Sequence, residues 1–210
     1  MAQSRWNQWL LHPAVKPVVW LLALLPAAWL VGGALTDTLG ANPAEALIRA
    51  SGDWALRGLC IALAVTPLRQ MTGWGALARL RRLLGLFAFF YVVLHVSSYL
   101  GLDMGWSFEA MWDDVLQRPF ILVGALAAFL LLLLAVTSPR RVVRAMGGRN
   151  WQRLHRCVHL AAWLALLHFF WMRDAKNNVF EVWIYVGIVL ALQAWRVWHY
   201  MRSKQSKPVR

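Results

Sequence analysis

Long apolar runs set the strongest limit on what this chain can fold into. The run from Leu83 to Gly101 contains no formally charged side chain and lies between Arg82 and Asp103. An α-helix rises about 1.5 Å per residue, so about 20 apolar residues cross the hydrocarbon core of a bilayer. Comparable runs cover residues 17–35, 54–68, 83–101, 120–137, 154–172 and 181–198. We therefore predict an all-α integral membrane protein, a six-transmembrane-helix bundle that forms a single domain over residues 1–210.

Composition supports this class. The chain is 60% hydrophobic and only 15% charged, which is too apolar for an ordinary soluble domain. Six spans nearly use up the 210 residues and leave no separate soluble domain or visible internal repeat. The first span follows a basic start and is longer than a signal-peptide core, so we interpret it as a retained anchor. Cys60 and Cys157 form neither a disulfide framework nor a metal-binding spacing.

Charged residues sort between the two sides that six spans create. The acidic residues all fall on one side: Asp37, Glu45, Asp53, Asp103, Glu109, Asp113, Asp114, Asp174 and Glu181. Most of the 22 basic residues fall on the other: Arg5, Lys16, Arg69, Arg79, Arg81, Arg82, Arg140, Arg141, Arg144, Arg149, Arg153, Arg156, Arg196, Arg202, Lys204, Lys207 and Arg210. The positive-inside rule makes the basic side cytoplasmic, with both termini. The net charge of +13 then reflects topology and anionic lipid rather than nucleic-acid binding.

Two histidines are predicted to lie at one depth. His95 is 14 residues above Arg81 on the third span, and His168 is 15 residues above Arg153 on the fifth. These two spans run parallel, so the imidazoles lie about 21 and 22 Å from the inner boundary. Either histidine alone could simply bond a neighbouring hydroxyl or carbonyl. As a pair they predict the axial ligands of a haem iron, and an iron with two imidazole ligands favours electron transfer over oxygen chemistry.

The other intramembrane histidines support a second haem poorly. His155 lies at the inner boundary of the fifth span. Thirteen residues below His95, where a facing ligand on the third span would be needed, stands Arg82, which cannot ligate iron. We predict that His159, one turn after His155, is a polar residue of the core.

Three arginines complete the candidate sites. Arg57 on the second span lies near the predicted haem level, where it either clamps a haem propionate or forms an (i, i+4) pair with Asp53. Arg81, Arg82 and His155 lie at the inner boundary and are expected to form part of a quinone or flavin site, because cations there stabilise a reduced, anionic carrier. The alternative is lipid-facing arginines with a histidine that merely starts a helix.

Four segments carry a resemblance to a known family. They read "TPLRQMTG", "RRLLGLFAFFYVVLHVSSYLGLD", "LAVTSP" and "NWQRLHRCVHLAAWLALLHFFW". Over nearly its whole length the chain resembles the ferric-reductase-like transmembrane domain family, which carries haem histidines on its third and fifth helices. Within that family it is similar to the haem-binding membrane subunits of bacterial methionine-sulfoxide reductase systems. The resemblance implies haem ligation by His95 and His168, and assigns His155 as a further haem histidine.

The resemblance also implies a function. Such a haem b subunit passes electrons from membrane quinol across the bacterial inner membrane to a periplasmic molybdopterin-containing reductase subunit, which repairs oxidised methionines. FMN is the second implied cofactor, and a cytosolic flavin reductase is a further candidate donor. No residue set in this chain can reduce a sulfoxide, so we assign catalysis to the partner. The alternatives are a stand-alone ferric or metal reductase, and a membrane anchor with structural histidines.

Overall fold

The computed structural model describes residues 5–174 and 179–205, so Lys207 and Arg210 of the predicted basic tail lie outside the described residues. Ten α-helices cover most of that part of the chain, and it contains no strand, which confirms the all-α class. They are α1 Arg5–Leu11, α2 Val15–Leu35, α3 Pro43–Thr72, α4 Ala78–Ser98, α5 Phe108–Gln117, α6 Pro119–Val136, α7 Arg140–Met146, α8 Gly148–His155, α9 Cys157–Asp174 and α10 Phe180–Gln205.

Four of the described elements are long and apolar enough to cross a membrane. They are α2, the continuous stretch Gly75–Asp103 that contains α4, α6, and Phe180–Lys204 within α10. The stretch around α4 is extended by a 3₁₀ turn at Gly75–Leu77 and a π turn at Tyr99–Asp103. The helices α3 and α9 are long enough but too polar to qualify by composition. Length and composition therefore support four spans, and the six-span arrangement stays a prediction.

The packing of α3 and α9 explains how they can carry polar residues. The helix α3 packs along α4, α4 contacts α6, α6 packs along α9, and α9 returns to α3. These four helices form a ring in which α4 and α9 stand at opposite corners. Because α2 packs on α3, and α10 packs on both α3 and α9, the two polar helices are covered by apolar ones. Polar side chains on interior helices can then meet protein partners instead of lipid.

The core at the centre of the ring is built from small and branched apolar residues. Its buried members are Leu59, Leu63, Ala88, Leu131, Leu134, Ala161 and Ala162. Ala161 and Ala162 are completely buried, and small residues of this kind let helices approach closely where lipid gives no hydrophobic drive between them. The outer surface of the bundle is also apolar. On α2, for example, Trp20, Leu21 and Trp29 are all exposed, as expected for a face in contact with lipid.

The helix α3 is much longer than the predicted span 54–68. It begins at Pro43, where the Asn42 side chain accepts a hydrogen bond from the Glu45 backbone N–H at 3.1 Å. Proline at the first helical position and an asparagine cap are common start signals. It ends at Gly73, whose φ of 72° is the left-handed conformation that favours glycine at a helix end. The hydropathy pattern captured only the apolar middle of a 30-residue helix.

The predicted span 154–172 is interrupted near its start. The helix α8 ends at His155 and α9 begins at Cys157, with Arg156 between them. His155 and His168 therefore do not lie on one continuous helix, and an ideal helix does not describe their relative direction. The short helices α7 and α8 instead carry the basic loop, with α7 packed on α8 and α8 on α9.

Candidate functional site

His95 and His168 face each other across the centre of the ring. Their ring centroids are 6.2 Å apart and their planes meet at 73°. His95 projects from α4 and His168 from α9, the two helices at opposite corners. The structure thus brings together the two side chains that helix rise alone places at one depth.

Each of these imidazoles is anchored to the backbone of a neighbouring helix. The Nδ1 atom of His95 lies 2.8 Å from the carbonyl oxygen of Ile48 on α3, and that of His168 lies 2.7 Å from the carbonyl oxygen of Phe120 on α6. A carbonyl oxygen only accepts, so Nδ1 donates in both cases and the lone pair of each neutral ring is on Nε2. This is the tautomer that leaves Nε2 able to bind a metal, and the Nδ1–H bond orients the ligand ring.

The spacing of the two rings fits one iron between them. A metal–imidazole bond is about 2 Å long, so two bonds and two ring radii separate the centroids by about 6 Å, close to the observed 6.2 Å. In the described part of the chain no group of three or more His, Cys, Asp or Glu side chains is placed to hold a metal ion. A bare ion would therefore find only two protein ligands, whereas a haem brings its remaining ligands with the macrocycle. The donor set fits a haem.

Arg57 does not form the ion pair with Asp53 that was the alternative to a propionate clamp. Its Nε donates to the Tyr185 hydroxyl at 3.0 Å, and its guanidinium lies 4.8 Å from the centroid of the Trp54 ring. Asp53 pairs instead with Arg173 at 3.5 Å. Among the described residues Arg57 makes no ion pair, so its charge remains available to an anionic group, although its partners belong to α3 and α10 rather than to the helices that carry the histidine pair.

His155 is held in a different way. Its Nε2 lies 3.1 Å from the Thr137 hydroxyl, which donates its own proton to the Leu133 carbonyl at 2.6 Å. The hydroxyl oxygen therefore accepts from His155, and the proton of this ring is on Nε2 rather than on Nδ1. The ring also stacks on Trp151 with centroids 4.0 Å apart, and the Trp151 indole N–H donates to the Thr137 carbonyl at 3.0 Å.

A cavity of about 500 Å³ at the arginine-rich end of the bundle brings Arg81, Arg82 and His155 together. Sequence reasoning grouped these three, but missed the other polar residues that line the cavity, which are Ser138, Arg140, Arg144 and Trp151. The available signal was the (i, i+4) spacing of Arg140 and Arg144 in "RRVVRAM". No acidic side chain of the described residues lines the cavity, so four arginines focus positive potential beside an aromatic pair, an environment suited to an anionic planar ligand.

Three further features lie near these sites. The Nδ1 atom of His159 accepts a hydrogen bond from the Gln193 side-chain amide of α10 at 2.8 Å, so a core partner satisfies this histidine. Cys60 and Cys157 are both free thiols. Sequence reasoning missed Gly52 and Gly124, each of which packs directly against one of the two facing imidazoles.

Comparison with known proteins identifies the family. Residues 51–166 match the model of the "Ferric reductase like transmembrane component". The "Protein-methionine-sulfoxide reductase heme-binding subunit MsrQ" of Polaromonas naphthalenivorans is 58% identical over 200 residues, which cover 95% of this chain and 91% of that protein. The proteins of the same name from Ralstonia nicotianae and Herminiimonas arsenicoxydans are 46% and 47% identical; the matches cover 90% and 85% of this chain, and 88% and 81% of those proteins.

No solved structure matches the chain. The relatives nevertheless agree in name and cover most of both sequences, and the family model matches a segment of this chain that includes His95 and His155. The chain therefore belongs to the MsrQ family, within the ferric reductase like transmembrane components.

Proposed function

We propose that this chain is a haem b electron-transfer subunit that passes electrons from membrane quinol across the inner membrane to a periplasmic molybdopterin-containing methionine-sulfoxide reductase. The names of the relatives, which specify a heme-binding subunit of a protein-methionine-sulfoxide reductase, support the haem and the partner class. The observation that carries the proposal is the pair of backbone-anchored imidazoles whose centroids are 6.2 Å apart.

In this proposal His95 and His168 hold the haem iron, which supplies a one-electron redox couple when bound. The carbonyls of Ile48 and Phe120 keep the two rings in the Nδ1–H tautomer and in a fixed orientation. If both imidazoles bound the iron, no position would be open to oxygen, and the haem would supply outer-sphere electron transfer rather than oxygen chemistry. We assign the unpaired charge of Arg57 to a haem propionate, because Asp53 is already paired with Arg173.

The inner cavity is the proposed site for the electron donor or for FMN. Arg81 and Arg82, with the arginines of α7, stabilise an anionic headgroup or phosphate there. His155 holds its own proton at Nε2 against Thr137, so its Nδ1 can accept a proton from a reduced carrier. To ligate a haem iron through Nε2, His155 would have to lose its hydrogen bond to Thr137. We therefore assign His155 to the carrier site. A cytosolic flavin reductase would reach the same face.

The proposed topology has six spans, formed by α2, α3, α4, α6, α9 and α10, with both termini cytoplasmic. A single-cysteine pair tests it in a background with Cys60→Ser and Cys157→Ser. Glu109→Cys, in the acidic loop, should react with an impermeant thiol reagent added to intact cells, whereas Arg149→Cys, in the basic loop, should react only after lysis. Both positions are exposed in the structure, so the reverse pattern would overturn the orientation.

The decisive test of function is a reduced-minus-oxidised spectrum of the purified protein, with haem and flavin quantified. We expect bound haem b with low-spin features, reduced by a quinol analogue and reoxidised by the partner reductase with methionine sulfoxide. Purified protein that binds no haem would support the membrane-anchor alternative instead. Reduction of ferric chelates at the same rate without a partner would support a stand-alone metal reductase.

A further inference from the structure

A glycine lies directly beneath each of the two facing imidazoles. A Cβ atom added to Gly52 would lie 3.1 Å from His95 Nδ1, and one added to Gly124 would lie 2.7 Å from His168 Nδ1. Both distances are shorter than ordinary van der Waals contact between such atoms, which begins near 3.5 Å, about the optimal separation of non-bonded heavy atoms. Any side chain at either position would therefore push on the atom that makes the anchoring hydrogen bond.

The two contacts share one geometry. Gly52 follows Ile48 by one helical turn, as Gly124 follows Phe120, so in each α-helix the glycine N–H and the imidazole Nδ1–H meet at the same carbonyl oxygen. A carbonyl oxygen has two lone pairs and can accept both hydrogen bonds. The Ser51 hydroxyl also lies 3.0 Å from the Ile48 oxygen, but its single proton goes to the nearer Leu47 carbonyl at 2.6 Å. The imidazole reaches the second lone pair by lying over the glycine Cα, where any other residue would place its Cβ.

We propose that Gly52 and Gly124 are positioning residues for the two axial histidines. Each glycine admits the imidazole to a carbonyl that is already used by the helix, and so fixes both the ring orientation and the Nδ1–H tautomer. The inference rests on the proposed haem ligation. A hydrogen bond from Nδ1 increases the electron donation of Nε2 and stabilises ferric iron, so weakening that bond raises the reduction potential. The shorter distance at Gly124 makes it the more sensitive position.

Two other glycines separate this role from simple helix packing. A Cβ atom added to Gly58, also on α3, would lie 3.1 Å from the Cα atom of Ala88 and so would meet backbone rather than an imidazole. On α10, a Cβ atom added to Gly187 would meet nothing within 4 Å. Gly58→Ala therefore controls for the close approach of helices, and Gly187→Ala controls for the substitution itself.

The first experiment measures haem content, the low-spin signal in electron paramagnetic resonance, and the midpoint potential of the four purified alanine variants. Gly124→Ala should lose at least half of the haem or shift the low-spin signal, with a higher potential. Gly52→Ala should shift the low-spin signal and the midpoint potential in the same direction as Gly124→Ala, but by less. Gly187→Ala should match the wild type. Wild-type signals and potentials in both Gly52→Ala and Gly124→Ala would overturn the inference, as would an equal shift in Gly58→Ala.

A second experiment needs no haem. Thermal unfolding of the haem-free protein is compared for Gly124→Ala, His168→Ala and the double variant. Gly124→Ala should lower Tm when the His168 imidazole is present. In the His168→Ala background it should leave Tm unchanged, because the imidazole that the new methyl group displaces is gone. An equal loss of Tm in both backgrounds would overturn the inference. If His168→Ala keeps its full haem, the ligand assignment fails instead, and the unfolding comparison still tests the role of the glycine.

Discussion

At the two ends of the four-helix ring, which the proposed topology makes the outer and the inner end, the same side chain is used in opposite ways. At the outer end, His95 and His168 both donate from Nδ1 to a backbone carbonyl, which leaves Nε2 as the basic nitrogen. At the inner end, His155 donates from Nε2 to a threonine hydroxyl and lies in a cavity with four arginines. The anchoring partner, rather than the presence of a histidine, thus decides which nitrogen is free and what chemistry it can perform.

The difference extends to the facing groups. Across from His168 stands a second imidazole, so the outer end offers two neutral ligands to one metal. The inner cavity that holds His155 contains Arg81 and Arg82, which cannot ligate iron but can neutralise an anion. The outer end is therefore suited to a metal centre, and the inner end to a carrier that becomes anionic on reduction.

The largest expected effect breaks the outer pair. His95→Ala and His168→Ala each remove one ligand of the haem iron. Loss of a hydrogen bond to a metal ligand lowers affinity by about 10–100-fold, so loss of the ligand itself should lower haem affinity by more. The haem that remains should be high-spin, and electron delivery to the partner reductase should stop. The measurement is haem stoichiometry and the absorption spectrum, with His12→Ala as a control at an exposed histidine. A full complement of low-spin haem in His168→Ala would show that another residue is the second ligand.

The second prediction separates the two ends. Arg82→Ala and His155→Ala should slow quinol-driven haem reduction by about tenfold each, the scale of one lost charge-assisted hydrogen bond. Haem content should remain near the wild-type value, because the outer pair is intact. Stopped-flow reduction by a quinol analogue measures the rate, and Arg149→Ala, which does not line the cavity, is the control. Normal rates in both cavity variants would remove the proposed carrier site.

A smaller effect is expected between the two ends, at Arg57. Arg57→Gln removes the charge assigned to a haem propionate and should lower haem retention by a few-fold, roughly what a single partly exposed charge pair contributes. Tyr185→Phe removes the 3.0 Å hydrogen bond to Arg57 but keeps the charge, so it should retain more haem. The comparison is made by competition with a haem-scavenging apoprotein. Equal haem retention in the two variants would mean that Arg57 stabilises the fold and does not bind a propionate.

The depth of the histidine pair could be predicted from the sequence because it depends only on helix rise, counted from the arginines at the inner boundary. The partners of that pair could not. The carbonyls of Ile48 and Phe120 lie 47 and 48 residues away from the histidines they anchor, and any helix carbonyl is an equal candidate until the packing of α3 on α4 and of α6 on α9 is known. Gly124 has no side chain, so nothing in the sequence marks it as a contact of His168.

Local rules failed where tertiary contacts compete with them. The spacing of Asp53 and Arg57 suits an (i, i+4) pair, but Arg173 reaches Asp53 from 120 residues away, and Tyr185 binds Arg57. The start of α3 is a different case, because the signal was present. Asn42, Pro43 and Glu45 form a recognisable helix start, but the apolar run begins only eleven residues after Pro43, so hydropathy alone does not include it.

The smallest spectroscopic effect is predicted for His159, which lies between the two ends and belongs to neither. Its Nδ1 accepts from Gln193 at 2.8 Å, so His159→Ala leaves a half-buried amide without this partner. A fully buried unsatisfied polar group costs about 1–3 kcal/mol and a half-buried one less, so Tm should fall by a small amount. The haem spectrum and the midpoint potential should stay at wild-type values, because neither anchor of the outer pair is touched. His159→Gln, which can still accept from Gln193, should recover most of the lost Tm. A change in the low-spin signal of His159→Ala would instead place this histidine in the haem site and reassign the ligands.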